Sequence, residues 1–221
     1  MDPLLDVLNP VQREAVQAGE GPALVLAGPG SGKTRVLTHR VAYLVGRQGV
    51  PPYRIMAVTF TNKAAREMKA RLLELVGAAS LEALTIGTFH ATCAAILRRE
   101  AGHLGFDNRF LIYDEADQAS LIRQALADLN IDPQRHRPGA VLNAISQAKN
   151  ELKGPEDLRA QSYHEEVVRR VYERYQALLR ENDALDFDDL LLEVVQLFRQ
   201  HPGVLQKYRQ RYQHVLVDEF Q

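Results

Sequence analysis

Only one cysteine, Cys93, stands in the 221 residues. A single thiol excludes an internal disulfide framework and points to a reducing compartment, the cytoplasm. No run approaches the roughly 18 uninterrupted apolar residues that a membrane-spanning helix needs, so a membrane protein is excluded. The opening stretch, MDPLLDVLNP, carries two acidic residues and no basic cluster ahead of an apolar segment, unlike a signal or transit peptide. Repeats and low-complexity segments are absent. Neither sign of charge dominates, with 27 Lys plus Arg against 28 Asp plus Glu and a formal net charge of -1. Any attraction to nucleic acid therefore has to come from a local patch. What remains is an ordinary globular composition, 46% hydrophobic and 25% charged, which excludes intrinsic disorder. At roughly 150 residues per domain, the length fits one large domain or two modest ones.

Along the first hundred residues, short apolar runs alternate with helical patterns. Residues 23–27 precede a Gly-rich turn and a helix, residues 55–60 precede a helix over 62–76, and residues 84–88 precede one over 89–100. Strand-helix alternation of this kind predicts βαβ units, hence a parallel sheet flanked by helices. From Asp114 to Asp183 strand patterns vanish, and helical stretches follow one another between breakers such as Asp132-Pro133 and Gly154-Pro155. This predicts an inserted all-helical segment. Within it Asp114 is an expected N-cap, and Val167, Val171, Tyr175, Leu178 and Leu179 form one apolar stripe. Residues 214–217 are a short β-branched run ending at Asp218-Glu219, which returns the chain to the sheet.

The run Ala27-Gly28-Pro29-Gly30-Ser31-Gly32-Lys33-Thr34 has the context that a phosphate-binding loop requires, after a predicted strand and at the start of a predicted helix. Its glycines let successive N–H groups turn toward phosphate oxygens, and the helix N-terminus adds partial positive charge. Lys33 reaches the β- and γ-phosphates, and the Thr34 hydroxyl is a ligand for Mg²⁺. Ala27 stands where the usual pattern has glycine. Such a loop also needs an acid at the end of a hydrophobic strand. Asp218 fills that place, binding the metal directly or through a water, while Glu219 is positioned to take a proton from an attacking water.

Six segments now appear in the order found in the UvrD/PcrA/Rep superfamily 1 DNA helicases. They are Leu8-Asn9-Pro10-Val11-Gln12, the AGPGSGKT loop, the run from Val58 to Met68, Gly87-Thr88-Phe89-His90, the run from Asp186 to Leu190, and Val217-Asp218-Glu219-Phe220-Gln221. The sequence resembles the N-terminal third of such a helicase, ending inside the last motif. The resemblance implies a RecA-like P-loop subdomain (1A) over residues 1–106, an inserted helical subdomain (1B) over 107–184, and a return to 1A over 185–221. It implies ATP and Mg²⁺ as cofactors, single-stranded DNA and duplex junctions as partners, 3′ to 5′ polarity, and a second helicase half beyond this region. Gln12 resembles the glutamine that reads adenine, Arg35 the arginine that stacks on the base, and Gln221 belongs to the catalytic motif with Asp218 and Glu219.

Phe60, Thr61, Asn62 and Lys63 resemble the motif beside the DNA track, where an aromatic ring stacks on a base and the following residues hold phosphates. The alternative for Phe60 is a place in the core. Thr88 and His90 resemble the neighbouring DNA-contacting pair, while Phe89 either joins them or only packs. Asp186, Asp188 and Asp189 are expected to cap a helix, since Asp188 and Asp189 are sequential and point in different directions. Cys93 is expected to be a small buried hydrophobe. Two other readings stay open. One is a subunit of a helicase-nuclease; the other is a nucleotide-gated DNA-binding module without turnover.

Overall fold

A computed structural model describes residues 2–220. The chain divides into two compact units, one made of the residues up to Thr92 together with those from Gln206 onward, the other of Cys93–Leu205.

The first unit holds helices α1 (Pro3–Asp6), α2 (Pro10–Val16) and α3 (Lys33–Gly46), strand β1 (Ile55–Thr59), helices α4 (Asn62–Val76) and α5 (Ala78–Ala83), and strand β2 (Thr85–Thr88). Helix α6 (Phe89–Arg99) leads out of it. Strand β1 runs parallel to β2, with Thr59 opposite Thr88, and on its other flank parallel to the last strand of the chain, with Val58 opposite Val217. Ile55 and Ala57 of β1 pack with Leu37, Val41 and Leu44 of α3 and with Met68 and Leu72 of α4. A parallel strand covered in this way needs apolar side chains along its length, which explains why IMAVT reads as one continuous hydrophobic run.

Residues 23–27 depart from the strand expected of them, since they join no ladder. Leu24 is 67% exposed and Leu26 85% exposed. An apolar composition favours a strand only when a neighbour supplies N–H and C=O groups along its edge. Among the described residues none does so for this run, and the last strand is itself paired only with β1.

The second unit contains β3 (Leu111–Tyr113), α7 (Glu115–Asp128), α8 (Pro138–Asn150), α9 (Tyr163–Glu181), β4 (Ala184–Asp186) and α10 (Phe187–Gln200). Helix α11 (Pro202–Arg211) carries the chain onward to β5 (His214–Val217), the strand that pairs with β1. Between Asp114 and Asp183 the unit is helical as expected, and β3 and β4 form a short parallel ribbon at its two ends. Asp114 accepts hydrogen bonds from the backbone of Ala116 and Asp117, capping α7. The apolar stripe of α9 is buried throughout, from Val167 through Tyr175 to Leu179, against α7 and α8. Each such side chain contributes about 1.5–3 kcal/mol by leaving water.

One buried charge cluster ties this core together. Lys149 Nζ lies 2.6 Å from Asp186 Oδ2 and 2.7 Å from Asp189 Oδ1, and all three side chains are sealed from solvent. Tyr175 donates its hydroxyl to Asp186, and Gln176 donates to Asp189 while accepting from Lys149. Burial opposes the Lys149 charge, but Asp189 and Asp186 outweigh it and hold the ammonium above its ordinary range. These ties keep α10 with the second unit, so the chain rejoins the sheet of the first unit only at β5. Among the described residues no helix is long and apolar enough to cross a membrane.

Candidate nucleotide and nucleic-acid site

Ala27 to Thr34 form a turn that ends in α3. Gly30 has φ +75° and Gly32 φ +88°, left-handed values that would strain an L side chain. Gly32 is the N-cap of α3 and offers no side-chain cap, so the first-turn amides of the helix stay open. Among the described residues no protein acceptor bonds the amides of Gly32, Lys33 or Thr34. The opposite holds for the lysine, because Lys33 Nζ donates to the carbonyls of Ala27 at 3.0 Å and Gly28 at 3.2 Å. Ser31 closes the turn, its hydroxyl donating to Gly28 O at 2.7 Å. Pro29 sits within this turn. Arg35 is exposed on the first turn of α3.

Strand β5 delivers the acids. Asp218 N donates to Val58 O at 3.0 Å, which continues the β1 pairing one residue past β5 and fixes the Asp218 backbone. Its side chain is nearly buried, and Thr34 Oγ1 donates to Asp218 Oδ2 at 3.2 Å. Two hard oxygen donors at this separation fit one edge of a Mg²⁺ octahedron, about 3 Å long for bonds of about 2.0–2.1 Å. Glu219 is exposed and adopts φ +60°, a left-handed conformation that turns the chain sharply after the buried acid. Gln221, expected with the catalytic residues, lies outside the described residues.

Gln12 approaches the loop from α2. Asn9 caps that helix, accepting from Gln12 N at 2.8 Å, while Gln12 Oε1 accepts from Asn9 N at 3.2 Å. This reciprocal cap fixes the side chain, and its Nε2 donates to Ser31 O at 3.0 Å. The contact with Ser31 joins residues 19 positions apart and has no local sequence signal.

The proposed DNA-contacting residues lie at or just past the C-terminal ends of β1 and β2, the edge of an open parallel sheet where ligands generally bind. Phe60 is 55% exposed, and its ring stands 5.3 Å from that of Phe89 at an angle of 52°. It is therefore a surface aromatic braced by a second ring and not a core residue. Thr61 caps α4 through Ala64 N at 3.1 Å, leaving Asn62 and Lys63 exposed on the first turn. Thr88 is nearly buried and caps α6, accepting from Ala91 N at 3.1 Å. Its hydroxyl proton remains available to an acceptor. His90 is half-buried on the same turn.

Asp186 accepts from Asp189 N at 2.8 Å while Asp189 accepts from Asp186 N, so this motif does cap a helix, α10. Sequence reading missed its buried partner, Lys149, because lysine ordinarily marks a surface. Cys93 is half-buried, and burial pushes its thiol up to about 11, well away from a reactive thiolate.

The family model for the UvrD/REP helicase N-terminal domain matches residues 8–221. The chain is 48% identical over 223 aligned positions to the ATP-dependent DNA helicase PcrA of Staphylococcus aureus (strain Mu50), covering all of this chain and 30% of that protein. The PcrA helicase of Staphylococcus epidermidis (strain ATCC 12228) matches at the same 48% identity and the same coverage. The chain thus spans about 30% of the length of the relatives it matches. With a match of this extent and six motifs in order, the chain belongs to the UvrD/REP helicase N-terminal domain family.

Proposed function

We propose that this chain is the nucleotide- and single-stranded-DNA-binding N-terminal portion of a cytoplasmic, ATP-dependent 3′ to 5′ DNA helicase. The observation that carries the reading is the meeting of Thr34 with Asp218 across 184 residues of sequence. A glycine-rich loop on a helix N-terminus and a strand-end acid have little structural need of one another, but together they can hold a metal-nucleotide complex.

In this reading Lys33 exchanges the carbonyls of Ala27 and Gly28 for the β- and γ-phosphates, and the loop around Gly28, Pro29, Gly30, Ser31 and Gly32 wraps them. Thr34 and Asp218 hold Mg²⁺, which neutralises phosphate charge when bound. Glu219 takes the proton of the attacking water, and Gln221 belongs to the same catalytic motif. Gln12 reads the adenine edge and Arg35 stacks on the base. Phe60, Thr61, Asn62, Lys63, Thr88 and His90 line the single-strand track that leads to duplex junctions. The helical region forms subdomain 1B within subdomain 1A. This chain alone binds nucleotide but does not turn it over, because the second helicase half supplies the remaining groups that stabilise the transition state.

Calorimetric titration of this chain with Mg-ATP tests the reading. Lys33→Ala should abolish binding while leaving the thermal transition in place. Undiminished binding by a folded Lys33→Ala variant would remove the loop from the function.

A further inference from the structure

The geometry points to Gln12 as a positioning residue for the phosphate loop, setting affinity for the polyphosphate itself and not only for the base. This rests on the nucleotide reading of the loop given above.

The orientation of the Gln12 amide is fixed from both sides. Asn9 N needs an acceptor and takes Oε1, whereas Ser31 O needs a donor and takes Nε2. Helix α3 makes no use of the Ser31 carbonyl, since the first bond into that helix runs from Val36 N to Gly32 O. Gln12 is therefore what holds this carbonyl. A trans peptide is planar, with C=O and the following N–H pointing opposite ways. Drawing Ser31 O toward α2 accordingly turns the Gly32 N–H away from α2, where it lies open with the amides of Lys33 and Thr34.

The fit is close on the other side too. A Cβ at position 32 would come within 2.8 Å of Gln12 Nε2, so a side chain there would push the amide from its present place, and the φ of +88° favours glycine as well. The glutamine also keeps spare capacity. A primary amide has two donors and two acceptor lone pairs, and the two bonds described use one of each. Gln12 can hold Ser31 and still present a donor and an acceptor to an adenine edge. One side chain then links the base subsite to the phosphate cradle.

Inorganic tripolyphosphate with Mg²⁺ separates the two roles, because it has no base. Its binding to this chain is measured by calorimetry beside that of Mg-ATP, for the unsubstituted chain and for Gln12→Ala, Asn9→Ala and Lys33→Ala, with circular dichroism melts for each. Losing a positioning hydrogen bond should weaken tripolyphosphate about two- to tenfold in Gln12→Ala, with a larger loss for ATP. Asn9→Ala removes the side-chain acceptor that caps α2 but keeps both bonds of the Gln12 amide, to the backbone N of residue 9 and to Ser31 O, so tripolyphosphate affinity should stay within twofold. Weakened ATP with unchanged tripolyphosphate in Gln12→Ala would make this residue a base reader alone and overturn the inference. Equal weakening by Asn9→Ala would assign the effect to the helix cap and overturn it as well. Tripolyphosphate and ATP binding that survives Lys33→Ala, or absent binding in the unsubstituted chain, would overturn the loop reading together with the inference.

Discussion

Thr34 and Asp218, 184 residues apart in sequence, stand 3.2 Å from one another, hydroxyl to carboxylate. Each alone would be an ordinary helix threonine or a strand-end acid. If they share one Mg²⁺, Thr34→Val and Asp218→Asn should each remove most of the gain in nucleotide affinity that Mg²⁺ brings, while leaving the metal-free affinity intact. The double variant should lose little more than either single one, as residues that act through one ion are not additive. Calorimetry with and without Mg²⁺ measures both quantities. Full Mg²⁺ dependence in both single variants would separate this pair from the metal.

Phe60 gives a prediction in which two measurements have to diverge. Its ring is more than half exposed, so Phe60→Ala should lower the melting transition by only a few degrees, with a loss of about 0.5–1.5 kcal/mol from the contact with Phe89. Affinity for short oligo-dT should fall by about 1–3 kcal/mol. Lys63→Ala should flatten the log-log salt dependence of the same binding by about 0.7, the mark of one lost phosphate contact on a single strand. Fluorescence anisotropy over a NaCl series provides both readouts, and an unaltered slope would take Lys63 off the track.

Lys149 is predicted to be structural and indispensable to the second unit. Lys149→Ala leaves Asp186 and Asp189 buried without their counter-charge, a loss of about 3–5 kcal/mol. Replacing all three at once, by Lys149→Met with Asp186→Asn and Asp189→Asn, should recover most of it, because no buried charge is then unpaired. Urea unfolding of the three chains tests the ordering, and equal stability of the single variant and the parent would contradict it.

Glu193 confers a pH dependence near neutrality. Burial, then the neighbouring Asp189, raises its carboxyl from 4.5 to about 7, with Arg180 and Lys149 opposing. Between these two values the unfolded chain has lost the proton and the folded chain keeps it. Stability should therefore fall as pH rises from about 4.5 to 7, by up to about 3 kcal/mol, and level off above that. Glu193→Gln should flatten this part of the profile and stabilise the protein at pH 8. A profile with an unchanged slope in the variant would assign the titration elsewhere.

Much of this architecture could be read from the sequence because its determinants are local. The caps at Asp114 and Asp186 depend on a residue three positions on, the stripe of α9 on a helical period, and the glycine-rich turn into α3 on eight consecutive residues. Contacts without local signals escaped that reading. Lys149 meets Asp186 only after three helices have packed, and Gln12 meets Ser31 across a turn. Residues 23–27 illustrate the converse: their apolar composition is that of a strand, but pairing is a property of two segments, and composition describes one.

The register of β1 against β5 also has a consequence for the order of folding. Ile55 pairs with His214, so this ladder closes across a separation of more than 150 residues, whereas β1 meets β2 within about 30. The chain entropy lost on closing a flexible loop grows with its length, and contacts this distant in sequence form late. The second unit lies wholly within that loop and is built from helices near one another in sequence. Its collapse shortens the search before Asp218 can reach Thr34. On this account the contact of Thr34 with Asp218 is among the last in the chain to assemble, after the helices held together by the buried Lys149 cluster have collapsed.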